Sequence, residues 1–284
     1  SKGAINREDI KRIREKTYYG TELVARPRRL ALMNLYLHGI ISNIRLGDSI
    51  YEPDRGDRYD VVLTNPPFGT KGANQVPERQ DFTVATSNKQ LNFAQHILTI
   101  LKPGGRAAVV LPDNVLFGDQ AAEVFKILMQ DCNLHTILRL PNGTFTPYSQ
   151  GVKANVVFFT KGIPTENVWI YDARTNVPGI TVKDRPLTHK HFEGFEKCYG
   201  DNPNGQSPRK EADSKENRWK MFTIAQVKEK HYKLDGFKWI KDEDIENGDD
   251  IGKPEELIKS VLSELKEATH SLEKIYAEFT DGTK

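Results

Sequence analysis

Asn65-Pro66-Pro67-Phe68 combines residue types that could hold an amino group attached to a planar ring. The Asn65 side-chain oxygen and the Pro66 carbonyl are two acceptors in a rigid frame, and each could take one hydrogen of an –NH₂ group. Such an amine is a poor nucleophile while its lone pair is delocalised into the ring. Two acceptors on its hydrogens favour a pyramidal nitrogen and aim the lone pair at an electrophile, by positioning and fixed dipoles alone. Pro67 would hold the turn and remove a competing donor. Phe68 offers a flat apolar face for stacking a planar base, a contact worth about 1–3 kcal/mol. A base inside a duplex would have to leave its stack to reach such a corner. The plain alternative is a rigid turn with no chemistry.

The corner needs a platform, and the residues before it supply one. Val61, Val62 and Leu63, within Tyr59–Thr64, read as a buried strand of a parallel sheet. The two prolines stop that strand. Ligands of open α/β sheets bind beyond the carboxyl ends of strands, which is where the corner falls. Upstream, Asn6–Lys16 predicts a helix and Thr17–Glu22 a short β-like segment ending in an acid. Arg26–Gly39 predicts a second helix stopped by Gly39, and Asn43–Leu46 a strand ending at Gly47-Asp48-Ser49.

Downstream, residues 69–85 form a polar loop. Asn88–Leu101 has helical spacing and is stopped by Pro103-Gly104-Gly105, where the glycines fit a helix-ending turn. Arg106–Leu111 predicts a buried strand, Asp119–Met129 a helix, and Leu134–Leu140 with Ala154–Thr160 an antiparallel hairpin at the sheet edge. Alternating strand and helix means a doubly wound α/β sheet. Beyond Gly162 the alternation fades. Glu166–Asp172 is one more strand candidate, Gly200–Asn217 a linker or disordered loop, and Asp242–Glu256 a solvated acidic stretch. From Pro254 to Phe279, Ile258, Leu262, Leu265, Leu272, Ile275 and Phe279 form an interrupted heptad seam. Three divisions follow: 1–162, 163–253 and 254–284.

Composition narrows the class. With 284 residues, 37% apolar and 28% charged, the chain can bury a full core. A net charge of +2 neither demands nor excludes a polyanionic partner. The only cysteines, Cys132 and Cys198, lack metal-ligand spacing, which points to a reducing compartment rather than a disulfide framework or zinc site. No apolar run approaches a membrane span and no signal peptide is recognisable, so a cytoplasmic location without membrane attachment is expected. His189 and His191 have no ligand-type neighbours and read as surface residues.

Around this corner the chain resembles the amino-methyltransferases, and more closely the modification subunits of type I restriction–modification systems. Gly20-Thr21-Glu22 with Arg29–Leu35 is similar to the family's second motif and its helix, and Gly47-Asp48-Ser49 to the third. Leu101–Pro112 followed by Val115-Leu116-Phe117 resembles the run after the catalytic motif. Leu140-Pro141, Phe145 and Gly151–Phe159 resemble the closing hairpin, and a weaker likeness surrounds Trp219 and Tyr232-Lys233-Leu234-Asp235. The resemblance covers roughly residues 17–162.

It implies a Rossmann-like class I methyltransferase sheet with a C-terminal helical extension, and methyl transfer from S-adenosylmethionine to the 6-amino group of adenine in DNA. Asn65 and Pro66 would hold the amine, with Asn65 also bordering the cofactor, Pro67 would keep the turn, and Phe68 would stack the flipped adenine. Glu22 would accept from the cofactor ribose and Asp48, beside Ser49, from its adenine amine; capping of helix or turn is the plain alternative for both acids. DNA and the specificity and restriction subunits are the implied partners. Lys71, Arg79 and Lys89 could touch DNA phosphates or belong to a solvated loop.

The family's glycine-rich first motif is absent from the chain, as is a preceding helical domain. That motif's strand would lie between those ending at Glu22 and Asn65, so the resemblance predicts a C-terminal piece of such a subunit, without its central first strand and inactive alone. The same corner occurs in RNA adenine methyltransferases and in protein glutamine methyltransferases. The chain as supplied could also be only a subunit-assembly module, with its last helix against the specificity subunit.

Overall fold

A computed structural model of the chain describes residues 6–68, 75–116, 118–149, 151–211, 217–241 and 269. The chain divides into two compact units, 1–238 and 239–284, and every element named below belongs to the first. The acidic stretch 242–256 and the heptad segment 254–279 lie outside the described residues, Thr269 excepted, as does Lys71.

Helix α1 (Arg7–Lys16) starts where the Asn6 side chain accepts the Asp9 N–H at 2.8 Å. It leads to β1 (Tyr19–Glu22), α2 (Ala25–Leu37) and β2 (Asn43–Leu46). Gly39, at φ +70°, ends the α2 segment while the Ile40 N–H turns back to the Leu35 carbonyl at 2.9 Å. Strands β1 and β2 pair in parallel, from Tyr19 opposite Asn43 to Glu22 opposite Leu46, and form a sheet of their own.

The larger sheet holds β3 (Tyr59–Thr64), β4 (Leu101–Pro112), β5 (Cys132–Arg139), β6 (Ala154–Lys161), β7 (Asn167–Asp172) and β8 (Trp219–Thr223). Its order is β3-β4-β6-β5-β7-β8. The pairs β3/β4 and β5/β7 are parallel and the rest antiparallel. The hairpin expected at the sheet edge is therefore internal: β6 lies between β4 and β5, and β7 and β8 extend the sheet beyond it. The strands after Gly162 continue the same sheet, and the compact unit runs through Lys238. Among the described residues no strand joins β1 to β3.

Between the strands lie α3 (Lys89–Ile100) and α4 (Asp119–Asp131), and later α5 (Glu193–Tyr199) and α6 (Ile224–Glu229). Asn88 caps α3 by accepting the Gln90 and Leu91 N–H groups. Leu91, Ala94 and Ile97 of α3 and Ala121, Val124, Phe125, Leu128 and Met129 of α4 are buried at helical spacing. Helix α3 stops before Pro103-Gly104-Gly105, which belongs to β4 rather than to a helix-ending turn. Tyr59 faces Leu101 but Val61 faces Arg106, so the glycines form a bulge inside the strand. A second apolar cluster, centred on Leu138, Leu140, Phe195 and Trp219, packs against Phe68 and Phe145.

Residues 200–211 of the predicted linker are an ordered loop instead. Asn202 Oδ1 accepts the Asn204 N–H at 2.8 Å, and the Arg209 guanidinium donates to Thr136 Oγ1 at 2.9 Å while lying over the Tyr199 ring. Gly205, at φ +72°, rests on His135, where any Cβ would overlap the imidazole. Polar composition suggested disorder; side-chain bonds to β5 supply the order.

Candidate active site

The corner follows the last residue of β3. Asn65 is exposed, and no described residue hydrogen-bonds its side chain. Pro66 is buried. The Pro67 carbonyl accepts Gln90 Nε2 at 2.9 Å, which ties the corner to the start of α3. Phe68 is half-buried, and its ring meets Phe145 edge-on, with centroids 5.0 Å apart and planes at 84°. One ring is thereby held while the amide beside it stays open.

The acids stand on the smaller sheet. Glu22 ends β1, and its Oε1 accepts the Val24 N–H at 2.9 Å. Asp48 follows β2, and its Oδ1 accepts the Ile50 and Tyr51 N–H groups at 2.8 and 3.0 Å. Both carboxylates thus make the capping bonds foreseen as the plain alternative, each through one oxygen. The Asp48 N–H in turn donates to Glu52 at 3.0 Å. That bond, and then the Arg55 guanidinium, holds the Glu52 carboxyl below its ordinary range.

A cavity of about 370 Å³ lies between β1 and β3, bounded by Tyr19 and Thr21 on one side and Tyr59 and Leu63 on the other. Asp48 and Ser49 border it, whereas Glu22 and the four corner residues do not. The sequence-predicted residues therefore fall into two groups, one on each sheet.

Arg79 is not the phosphate contact that its charge suggested. Its side chain is only 1% exposed. It forks onto Asp81 at 3.0 and 2.5 Å, donates to the Ser49 carbonyl at 2.6 Å, and lies over the Phe82 ring. It also reaches His96 Nδ1 at 3.1 Å. Burial, and then the Arg79 charge, push His96 down to about 4, so at neutral pH its unprotonated Nδ1 accepts from Arg79. On the surface, His189 Nε2 lies 3.1 Å from Glu196 Oε1, and His191 closes a capping box with Thr188.

Gln90 and Phe145 carried no site role in the sequence. The signal for Gln90 was present: it falls on the apolar stripe of α3 with Ala94 and Ile97, where a buried amide must find a partner. Phe145 gave no local signal, because its meeting with Phe68 is a long-range event.

A family model described as N-6 DNA Methylase matches residues 3–248. The chain belongs to the N-6 DNA methylase family. All elements from β1 to α6 lie inside the matched region. The chain is 40% identical over 307 aligned positions to the type I restriction enzyme StySPI methylase subunit of Salmonella potsdam, covering 94% of this chain and 57% of that protein. It is 40% identical over 302 positions to the type I restriction enzyme EcoKI methylase subunit of Escherichia coli strain K12, covering 93% and 56%. The crystal structure of the EcoKI M protein matches with a TM-score of 0.76 at 40% identity, over 96% of this chain and 62% of that one. This N-6 DNA methylase chain spans little more than half the length of these curated relatives.

Proposed function

We propose that the full-length protein is the modification subunit of a type I restriction–modification system and methylates the 6-amino group of adenine in DNA. The observation that carries this reading is the corner itself: an open Asn65 amide at the end of β3, beside a Phe68 ring held by Phe145. Asn65 Oδ1 and the Pro66 carbonyl each accept one hydrogen of the target amine. Phe68 stacks the extruded adenine. The prolines keep the two acceptors from relaxing toward each other, so little reorganisation is needed during reaction.

S-adenosylmethionine fits the donor set on its adenosine side. One oxygen of Glu22 and one of Asp48 are held by main-chain N–H groups, which orients each carboxylate and leaves its second oxygen for ribose hydroxyls and the adenine amine respectively. When bound, the cofactor supplies an electrophilic sulfonium methyl. The sequence of 284 residues has no match to the glycine-rich first motif expected to close the floor under its methionine portion. By themselves they are expected to bind it weakly and to transfer no methyl group. Calorimetry giving a micromolar dissociation constant for this chain contradicts that expectation.

DNA and the specificity and restriction subunits are the partners this reading assigns, with target sequence read by the specificity subunit. In the full-length protein, Asn65→Ala is expected to lower methyl transfer by about 10²–10³-fold, the scale of removing one preorganised dipole, with cofactor binding little changed. Retention of full activity overturns the reading. Parallel assays with DNA, RNA and protein acceptors decide the substrate; transfer to RNA or to glutamine in preference to DNA replaces it.

A further inference from the structure

The two groups of site residues stand on different sheets. Asp48 and Ser49 follow β2 in the smaller sheet, and Asn65 follows β3 in the larger one. Transfer between ligands held by the two groups demands a fixed separation, because a misplacement of about 1 Å can cost about 10²-fold in rate.

One segment reaches both groups. Arg79 donates to the Ser49 carbonyl at 2.6 Å, across 30 residues of sequence. Gln90, 4% exposed, donates to the Pro67 carbonyl at 2.9 Å, across 23 residues. Neither bond belongs to a helix, a strand or a local turn.

Between these anchors the segment is stitched to the body of α3. Asp81, gripped by Arg79, accepts Thr99 Oγ1 at 2.6 Å. Gln95 accepts the Val84 N–H at 2.8 Å and donates back to the Val84 carbonyl at 3.0 Å. Asn92 donates to the Thr86 carbonyl at 2.9 Å. Gln95, Asn92 and Thr86 are all buried, and breaking one such bond strands a polar group away from water. A satisfied buried network of this kind makes the segment and helix move as one body.

We propose that residues 79–90 are a brace that sets the distance between the Asp48-Ser49 turn and the Asn65–Phe68 corner, with Arg79 and Gln90 as its two positioning residues. The proposal rests on the methyl-transfer reading given above. It extends that reading to a segment outside both the Asp48-Ser49 turn and the Asn65–Phe68 corner.

Kinetics of the full-length protein test it. Gln90→Ala and Arg79→Lys are each expected to lower kcat by about tenfold or more, with the KM for DNA and the cofactor dissociation constant within about threefold. Lysine keeps the charge beside Asp81 but cannot grip it with two donors and reach Ser49 at once. Either substitution releases the same link, so the double variant should lose little more than the worse single one. Losses that multiply, or a wild-type kcat in either single variant, overturn the brace.

If the unaltered protein transfers no methyl group to DNA, the functional reading falls and hydrogen exchange decides the brace. Gln90→Ala should speed exchange in residues 61–68 by about tenfold while residues 154–161 keep their protection. Should Gln90→Ala also loosen residues 154–161, the isosteric Gln90→Glu repeats the measurement. Unchanged exchange in 61–68 overturns the proposal.

Discussion

Helices α2 and α4 have similar apolar spacing and opposite fates. In α4, Phe125 is fully buried and Leu128 and Met129 are 2% exposed. In α2, Leu30, Met33 and Leu37 repeat at helical spacing yet are 59%, 62% and 82% exposed, and no residue of the helix is buried. The strands beside them differ in the same way. Strand β5 is buried at every position but Asn133, while β1 alternates exposed and half-buried residues and Leu63 of β3 is 77% exposed. An apolar stripe says which face can be covered; it does not say that a cover is present. The acid-bearing group of site residues stands on the thinly packed side of this chain.

The contrast can be broken by mutation. Phe125→Ala is expected to cost about 3–5 kcal/mol in a urea melt of this chain, whereas Leu37→Ala should stay within about 0.5 kcal/mol. A Leu37 loss near the Phe125 value would mean that the α2 face is covered in solution.

Acid provides a second probe. His96 and His135, held down to about 4 and about 3 chiefly by burial, stay neutral in the folded chain where the unfolded imidazole titrates near 6.5. Their contribution is whole above that value and is lost as pH falls, because only the unfolded state then takes up the protons. The loss runs from about 6.5 toward 4 for His96 and toward 3 for His135, at about 1.4 kcal/mol per pH unit for each group. Melts at pH 7 and pH 5 should show it, and His96→Gln should remove a share of it. A stability that is flat over that interval contradicts neutral burial of both rings. At the small end, Lys102→Ala removes a pair with Asp60, itself 78% exposed. Its cost should not exceed about 0.5 kcal/mol, and a larger one would show that the β3 side is better packed than its exposure indicates.

Much of the architecture was readable from local pattern. The apolar stripes of α3 and α4 marked those helices, and two prolines marked the end of β3. The antiparallel partnership of β5 and β6 was readable because the segment between them has no helical period. The insertion of β6 beside β4 was not, since strand order depends on which faces meet in space. Nor was the order in 200–211, where bonds from Arg209 to Thr136 outweigh a composition typical of linkers.

For the candidate site the division is similar. Asn65, Pro66, Pro67 and Phe68 are adjacent in the chain, so their shared chemistry could be read from four letters and the fixed backbone of proline. The sequence offers Arg79 as a phosphate contact or a solvated loop residue because charge is a property of the residue, whereas burial against Asp81, His96 and the Ser49 carbonyl belongs to the fold. For Gln90 the α3 stripe signalled that a buried amide needs a partner but not which one, because that partner lies 23 residues away. Chemistry that adjacent residues share is determined by sequence alone. Which distant groups hold that chemistry in place is decided only when the chain closes on itself, because hydrogen bonds between separated segments require a fixed geometry that no local spacing encodes.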